Sequence, residues 1–225
     1  MLNYIITYGI LLFFFPLFFI AVYASDKCDS GNLKGVLSGK GKPDVLLRRL
    51  IAGILFLGIG TTIILVKRDL DSNIFIPSLN KDASPWMIIA AAAILTGTFS
   101  AFKKLSPSQE ITYYPSPHSL LSFLSIRILF LLVYEFFFRG ALFFMMVEDF
   151  GVIAAIIVNI ILYVLVHWFN KEERYGVMLM GGILYSVTLY YHSVWPAVII
   201  HLSLALSNEI TLMINNRSLI KNSWS

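Results

Sequence analysis

The sequence predicts an all-α fold, a polytopic membrane bundle of about seven transmembrane helices. The 225 residues are 58% hydrophobic and only 13% charged, and the mean hydropathy is +0.78, which lies outside the range of ordinary soluble domains. Apolar runs also recur along the whole chain. Most are about as long as the roughly 20 residues that a helix needs to cross a bilayer. The lipid bilayer is therefore the first expected partner.

The helix assignments follow from where the apolar runs begin and end. The first run lacks the positive start of a secretory signal, because its first charge is Asp26, and we interpret it as a retained helix. The fourth run exceeds a bilayer core, so its serine-rich start is expected to tilt or to lie along the interface. Polar stretches with Pro, Gly, Asp and Asn separate the runs. The seven predicted helices are Tyr4 to Tyr23, Leu50 to Val66, Trp86 to Phe102, Ser122 to Val147, Val152 to Phe169, Gly176 to Tyr191 and Val194 to Ile214.

The charged residues indicate an orientation and a division of the chain. Twelve Lys and Arg residues fall in the first, third and fifth loops and the C-terminal tail, against three on the opposite side. The positive-inside rule then places the N-terminus outside and the C-terminus in the cytoplasm. The first three runs contain no ionisable side chain. We therefore predict N-terminal helices and polar loops over 1–116, a membrane core over 117–212 and a cytoplasmic tail over 213–225.

Glu135 and Arg139 are the most informative residues of the fourth run. A charge at the centre of a membrane helix costs roughly 2.5 to 3.5 kcal/mol on insertion scales, so such residues face the bundle interior and indicate a functional site. At a spacing of four they share a helical face, with the acid N-terminal to the base, which favours an ion pair. The sequence predicts that pair inside the bundle.

His167 and His201 are the ionisable residues of the fifth and seventh runs. A neutral histidine can act as a base, a donor or a metal ligand. Two histidines with a carboxylate therefore suggest a hydrolytic set, although a single buried histidine is more often a hydrogen-bonded packing residue. The chemistry requires no cofactor. A divalent metal such as zinc would have only His167 and His201 as candidate ligands, because Cys28 is the sole cysteine.

Other polar residues near the membrane have simpler interpretations. Arg127 shares the face of Glu135 and is expected to extend to the cytoplasmic interface. Glu148, Asp149 and Glu209 are expected near water at helix ends. No basic stripe with interleaved aromatic residues is present, so nothing supports nucleic-acid binding.

Three segments together resemble the motifs of the CPBP intramembrane proteases. That family includes the CAAX prenyl endopeptidases of the Ras-converting type and the bacterial Abi or bacteriocin-processing proteins. Its pattern is Glu-Glu-x-x-x-Arg, then an aromatic residue followed by x-x-x-His, then His-x-x-x-Asn, on separate membrane helices. The resembling segments, within about Pro117 to Leu212, are Tyr134-Glu135-Phe136-Phe137-Phe138-Arg139-Gly140, Tyr163 with His167, and Trp195-Pro196 with His201.

The resemblance implies roles for these residues. Glu135 would pair with Arg139 and order the site, His167 would orient or deprotonate water, and His201 would stabilise the tetrahedral oxyanion. Two positions depart from the pattern: Tyr134 replaces the first glutamate, and Ala205 replaces the asparagine.

The departures have physical consequences. A phenol is a poor general base at neutral pH, because its pKa is about 10. Adjacent helical residues point about 100° apart, so Glu135 could replace the missing neighbour only through a π-bulge or a rotation of the helix. Asn208 lies roughly 10 Å beyond His201 along the axis and is no substitute for the lost donor.

These observations lead to two principal expectations. The first is a CPBP-type intramembrane endopeptidase in a bacterial cytoplasmic membrane, with normal or reduced activity, acting on a CAAX-type or leader peptide. The second is a catalytically inactive scaffold, or a bacteriocin-immunity or regulatory protein, that binds a peptide or membrane-protein partner. A small transporter is less favoured, because the runs show no inverted repeat of broken helices.

Overall fold

A computed structural model describes residues 2–77, 82–104, 117–168 and 174–223. Within these ranges the chain is helical and contains no strand, which confirms the all-α prediction. A 3-10 turn spans Ser72–Phe75, and a π-helix spans Phe136–Ala141. The α-helices are α1 (Leu2–Lys27), α2 (Leu33–Leu37), α3 (Pro43–Lys67), α4 (Ser84–Lys104), α5 (Pro117–Glu135), α6 (Leu142–Phe150), α7 (Val152–Val166), α8 (Arg174–Tyr191) and α9 (Trp195–Ser223).

Five of the described helical segments are long and apolar enough to cross a membrane, and the chain therefore fits an integral membrane protein. The remaining two apolar segments form shorter helices. The number of seven crossings and the orientation of the termini stay predictions. The five candidate spans are Thr7–Lys27, Pro43–Lys67, Ser84–Lys103, Leu121–Phe150 and Trp195–Asn215, and the two shorter helices are Val152–Val166 and Gly176–Tyr191.

Several helix ends differ from the sequence-based boundaries. The fifth predicted helix ends at Val166, whereas Phe169 lies outside the described residues. His167 caps this helix with a non-helical backbone, so the candidate site residue lies at a helix terminus. The last helix continues to Ser223, and much of the predicted tail is therefore helical.

Local chemistry explains where two of the helices begin. Asn32 caps α2, because its side-chain oxygen accepts a hydrogen bond from the backbone N–H of Gly35 at 2.9 Å. Gly151 separates α6 from α7 with a φ of +81°, a conformation that costs glycine little. Helices α6 and α7 contact each other on either side of this break.

Packing connects the N-terminal helices to the rest of the bundle. Helices α1 and α3 contribute to the same buried cluster as α5 and α6, and Phe18 and Leu57 are among its members. Helix α4 packs along α9. A Cβ atom at Gly97 would lie 2.1 Å from the hydroxyl oxygen of Ser207, so only glycine permits this approach of α4 to α9.

The π-helix changes the helical register immediately after Glu135. The backbone N–H of Leu142 bonds to the carbonyl of Phe137, five residues earlier. A π segment inside an α-helix adds a residue to the turn, and such segments are frequent at functional sites. Arg139 lies within it, and the two charged side chains are therefore held by different helical geometries.

Candidate active site

Glu135, the last residue of α5, is the centre of the buried polar contacts. Its side chain is fully buried, and its Oε1 atom accepts a hydrogen bond from Nη1 of Arg139 at 3.1 Å. The same oxygen lies 2.5 Å from Nδ1 of His201 on α9. Glu135 therefore forms an ion pair with Arg139 in its own chain segment and also contacts His201 on another helix.

The contact with Glu135 fixes the direction of the His201 ring. An ionised carboxylate only accepts hydrogen bonds, so the proton in this contact belongs to Nδ1 of the imidazole. The other ring nitrogen, Nε2, is then the atom that is left for water or substrate. A carboxylate that orients a histidine in this way also stabilises the ring when it gains a second proton.

Arg139 is fully buried among aromatic rings. Its guanidinium carbon lies 4.2 Å from the ring centroid of Tyr163 and 4.9 Å from that of Tyr185. The ring of Tyr134 is 5.8 Å away. These distances lie within the range of cation–π attraction, which is strongest where water is excluded. The rings and Glu135 together compensate for the buried charge.

Tyr134 occupies the position of the missing first glutamate. Its side chain is only 2% exposed, and its hydroxyl oxygen makes no hydrogen bond within the described chain. Its ring centroid lies 6.1 Å from that of His201 and 6.0 Å from that of Tyr163. The phenol is therefore next to the two groups that contact Glu135 and Arg139.

His167 approaches the same cluster from the end of α7. Its ring packs edge-on against Tyr163 at a centroid distance of 5.2 Å. The rings of His167, Tyr163, Tyr134 and His201 thus form a continuous series from one histidine to the other.

One cavity contacts both histidines. Its volume is about 920 Å³, and its lining includes Tyr134, His167, His201 and Ala205. Glu135 is not among its described lining residues. We infer that the carboxylate acts on the cavity indirectly, through the His201 ring that it holds.

Several buried polar atoms around the pair of Glu135 and Arg139 have no hydrogen-bond partner within the described chain. Buried polar groups are usually paired, so each exception calls for an explanation. The exceptions include Oε2 of Glu135, Nε and Nη2 of Arg139, and the hydroxyl oxygens of Tyr134 and Tyr185. Of the residues that hold these five atoms, Tyr134 is the one in the described lining of the cavity.

The third motif provides no amide to the cavity at its expected position. Ala205 lines the cavity but has no polar side-chain atom. Asn208 also lines it, yet its Nδ2 atom donates a hydrogen bond to the carbonyl of Gly97 at 3.0 Å. Asn208 therefore ties α9 to α4.

Residues 116–207 match a family model that is described as type II CAAX prenyl endopeptidase Rce1-like. The family resemblance predicted from the three motifs is confirmed. This Rce1-like segment covers under half of the chain and includes Glu135, Arg139, His167 and His201. Comparison with curated proteins and with solved structures gives no match.

A metal ion fits these residues poorly. Within the described ranges, no group of three or more His, Cys, Asp and Glu side chains could hold one, whereas catalytic zinc usually has three protein ligands. In the Rce1-like segment, the Oε1 atom of Glu135 already faces both Arg139 and His201. We therefore derive no catalytic step through a metal.

Two further charged contacts differ from their sequence-based interpretations. Arg127 does not simply extend to the interface, because its Nε atom donates to Oε1 of Glu209 at 2.8 Å. Asp149 lies at the end of α6, as predicted, but its side chain is only 3% exposed and does not face water. Its carboxylate accepts hydrogen bonds from Arg68 and from the hydroxyl of Tyr8. These partners are 81 to 141 residues apart in sequence, so no local spacing predicts them.

Proposed function

We propose that this chain is a CPBP-type intramembrane endopeptidase that cleaves a membrane-associated peptide of the CAAX type or a leader peptide. The contact between Glu135 and His201, at a cavity that His167 also lines, is the observation that carries the proposal. The Rce1-like match over residues 116–207 supports it. We place the protein in a bacterial cytoplasmic membrane, with the cavity accessible from the cytoplasm.

In the proposed reaction, His167 takes a proton from a water molecule, and the water oxygen attacks the scissile carbonyl carbon. In this scheme the His201 ring carries a proton on both nitrogens, so Nε2 donates a hydrogen bond to the developing oxyanion while Nδ1 stays bound to Glu135, whose carboxylate stabilises the charged ring. The C–N bond then breaks, and the leaving amine takes the proton from His167. Arg139 and Glu135 are positioning residues in this scheme.

A second candidate function follows from Tyr134 and Ala205. Neither residue supplies the base or the amide donor that the family pattern has at these positions. Each such group commonly contributes about 10² or more to the rate. A chain that lacks both, but retains the cavity, could serve as an inactive scaffold or immunity factor that binds a peptide without cutting it.

Peptide hydrolysis in proteoliposomes separates the two functions. We expect wild-type protein to cleave members of a quenched fluorescent peptide library, and His167→Ala and His201→Ala to lose about 10²-fold or more in turnover. His192→Ala is the matched control, because His192 is exposed and contacts Asp71. Equal rates of peptide hydrolysis by all four proteins would contradict the endopeptidase function and favour the inactive scaffold.

A further inference from the structure

A short strap between α3 and α4 contacts both chain segments that meet at the candidate site. The strap consists of residues 72–76 and includes the 3-10 turn Ser72–Phe75. Its residue Ile74 is buried in the same cluster as residues of α5 and the π-helix. The strap lies outside the Rce1-like segment, so the family match covers none of its residues.

Hydrogen bonds fix the strap to the start of α9. The backbone N–H of Val194 donates to the carbonyl of Ile74 at 2.9 Å. The indole Nε1 atom of Trp195 donates to the carbonyl of Phe75 at 2.9 Å. Trp195 is the first residue of α9, the helix that carries His201 six residues later. Six helical residues rise about 9 Å, so the strap holds α9 close to the end that positions His201.

The Phe75 ring packs against the π-helix. A Cβ atom at Gly140 would lie 2.5 Å from Cε1 of Phe75, so the ring occupies the space that a side chain at this position would need. Its centroid also lies 5.6 Å from that of Phe136, and the Phe136 ring lies 5.6 Å from that of Trp195. Aromatic pairs at such distances attract each other. Phe75 therefore contacts the π-helix through its ring and α9 through its carbonyl.

These contacts connect the two segments that form the contact between Glu135 and His201. Glu135 immediately precedes the π-helix, and Arg139 precedes Gly140 within it. His201 reaches Glu135 from α9. A shift of the π-helix relative to α9 would therefore change the distance between Nδ1 and Oε1. Phe75 and Gly140 are not in the described lining of the cavity, so they would act on the site without touching what the cavity holds.

We propose that Phe75 is a positioning residue, whose ring fills the notch at Gly140 and holds the π-helix in register with α9, so that Glu135 orients His201. Close-packed interiors transmit strain, and a displacement of about 1 Å at catalytic groups can cost about 10²-fold in rate. The inference rests on the proposed function. It adds to that function a residue from outside the Rce1-like segment.

Gly140→Ala tests the notch from the side of the π-helix. Alanine has a higher helix propensity than glycine, so a loss of turnover in this variant has a steric cause. We expect kcat for peptide hydrolysis to fall about tenfold or more, while KM stays within about twofold of the wild-type value. Gly182→Ala on α8 is the matched control and should keep the wild-type kcat, because a Cβ atom there would meet no neighbouring group within 4 Å.

Phe75→Leu provides the compensating change. Leucine lacks the Cε and Cζ atoms, which an added Cβ atom at Gly140 would approach most closely. Alone, Phe75→Leu should lower kcat about threefold, because the notch is then incompletely filled. Combined with Gly140→Ala, it should restore kcat to within about threefold of wild type, since substitutions of contacting residues are not additive. Phe99→Leu, on an exposed face of α4, controls for the loss of a phenyl ring and should keep the wild-type kcat.

An unchanged kcat in Gly140→Ala would overturn the inference, and so would a double variant whose loss equals the product of the two single losses. A raised KM with unchanged kcat would also overturn it, because the pair would then act on substrate binding. If Gly140→Ala does not fold, Phe75→Leu decides the question, because it introduces no clash, and an unchanged kcat in that variant would overturn the inference.

Amide hydrogen exchange separates the inference from the proposed function. If wild-type protein hydrolyses no peptide, the endopeptidase function fails, and exchange over residues 136–142 tests the strap without any activity. We expect Phe75→Leu to speed exchange of these amides in detergent, whereas Phe99→Leu leaves it at the wild-type rate. Equal protection in both variants would overturn the role of Phe75, even in a protein that cleaves peptides.

Discussion

The carboxylates of Asp149 and Glu135 are both at most 3% exposed, and they differ in how many of their oxygens accept hydrogen bonds. Asp149 uses both oxygens, because Oδ1 accepts from Arg68 and Oδ2 accepts from the Tyr8 hydroxyl at 2.6 Å. Glu135 accepts from Arg139 through Oε1, while Oε2 makes no hydrogen bond within the described chain. Both carboxylates pair with a buried arginine. Of these two carboxylates, Glu135 is the one with an oxygen that has no hydrogen-bond partner within the described chain.

The two centres also differ in what lies beside them. The described lining of the cavity includes His201, which contacts Glu135, but neither Asp149 nor its partners. A buried ion pair is by itself weak evidence for either stability or function. Burial of charge therefore identifies neither centre as a site. The centre at Glu135 is distinguished by its unpaired polar atoms and by its contact with His201, which lines the cavity. We therefore expect the two centres to respond differently to substitution.

The largest effect is expected for Glu135→Gln. The amide no longer carries the charge that orients His201 and compensates Arg139, so turnover should fall about 10²-fold or more. The protein should also lose about 3 to 5 kcal/mol of stability, because Arg139 becomes an uncompensated buried charge. Peptide turnover per folded molecule and thermal unfolding in detergent measure both effects. Wild-type turnover in this variant would show that Glu135 does not position the site.

Asp149→Asn should affect stability alone. The substitution leaves Arg68 buried beside a neutral side chain, and we expect a loss of about 3 kcal/mol in unfolding free energy. Turnover per folded molecule should stay at the wild-type level, because this centre does not adjoin the cavity. A loss of turnover similar to that of Glu135→Gln would remove the distinction between the two centres.

Tyr134→Glu tests what the centre at Glu135 lacks. A carboxylate at this position restores the residue type of the family pattern, and we expect turnover to rise about 10²-fold, the lower end of the range that a general base provides. Tyr134→Phe removes only the hydroxyl and serves as the control for packing of the ring. A fall in turnover with Tyr134→Glu, while the variant remains folded, would show that the phenol is the group the site requires.

The smallest effect is expected at the exposed pair of Asp71 and His192. The backbone N–H of Asn73 is the main cause that lowers the pKa of Asp71, and His192 lowers it further. Because its pKa is lowered in the folded protein, the Asp71 carboxylate stabilises the folded state at pH values above its unfolded-state pKa of about 3.9. This contribution is lost as the pH falls below that pKa. The Tm of wild type should therefore fall slightly more than that of Asp71→Asn between about pH 6 and pH 3. Parallel Tm curves would contradict this assignment.

The sequence predicts the helices well but not their ends. Apolar length marks each membrane segment, whereas the start of α3 at Pro43 precedes the predicted start at Leu50. The difference arises because Asp44 and Arg48 in the first turns are charged and lower the local hydropathy. Helix α7 ends before the predicted end of the fifth segment, because His167 leaves the helical backbone. Hydropathy therefore predicts neither the start of α3 nor the end of α7.

The candidate site is predictable only in part. Spacing alone predicts the ion pair of Glu135 and Arg139, since both residues belong to one helical segment. The π-helix after Glu135 changes the helical register. From the sequence we could say only that Glu135 would need such a π-bulge, or a helix rotation, to replace the missing glutamate. Contacts between distant helices, such as Arg127 with Glu209 and Arg139 with Tyr185, have no local signal. Such contacts depend on how the helices pack, which one sequence does not specify.

Cysteine labelling tests most directly whether the cavity beside Glu135 and His201 admits water. Cys28 is the chain's sole cysteine, so Cys28→Ser provides a background without reactive thiols. In this background Ala205→Cys, on the cavity wall, should react with a membrane-impermeant maleimide, and Ala155→Cys, which is fully buried, should not. Equal protection of both cysteines in the folded protein would contradict a water-filled site and, with it, hydrolysis at this centre.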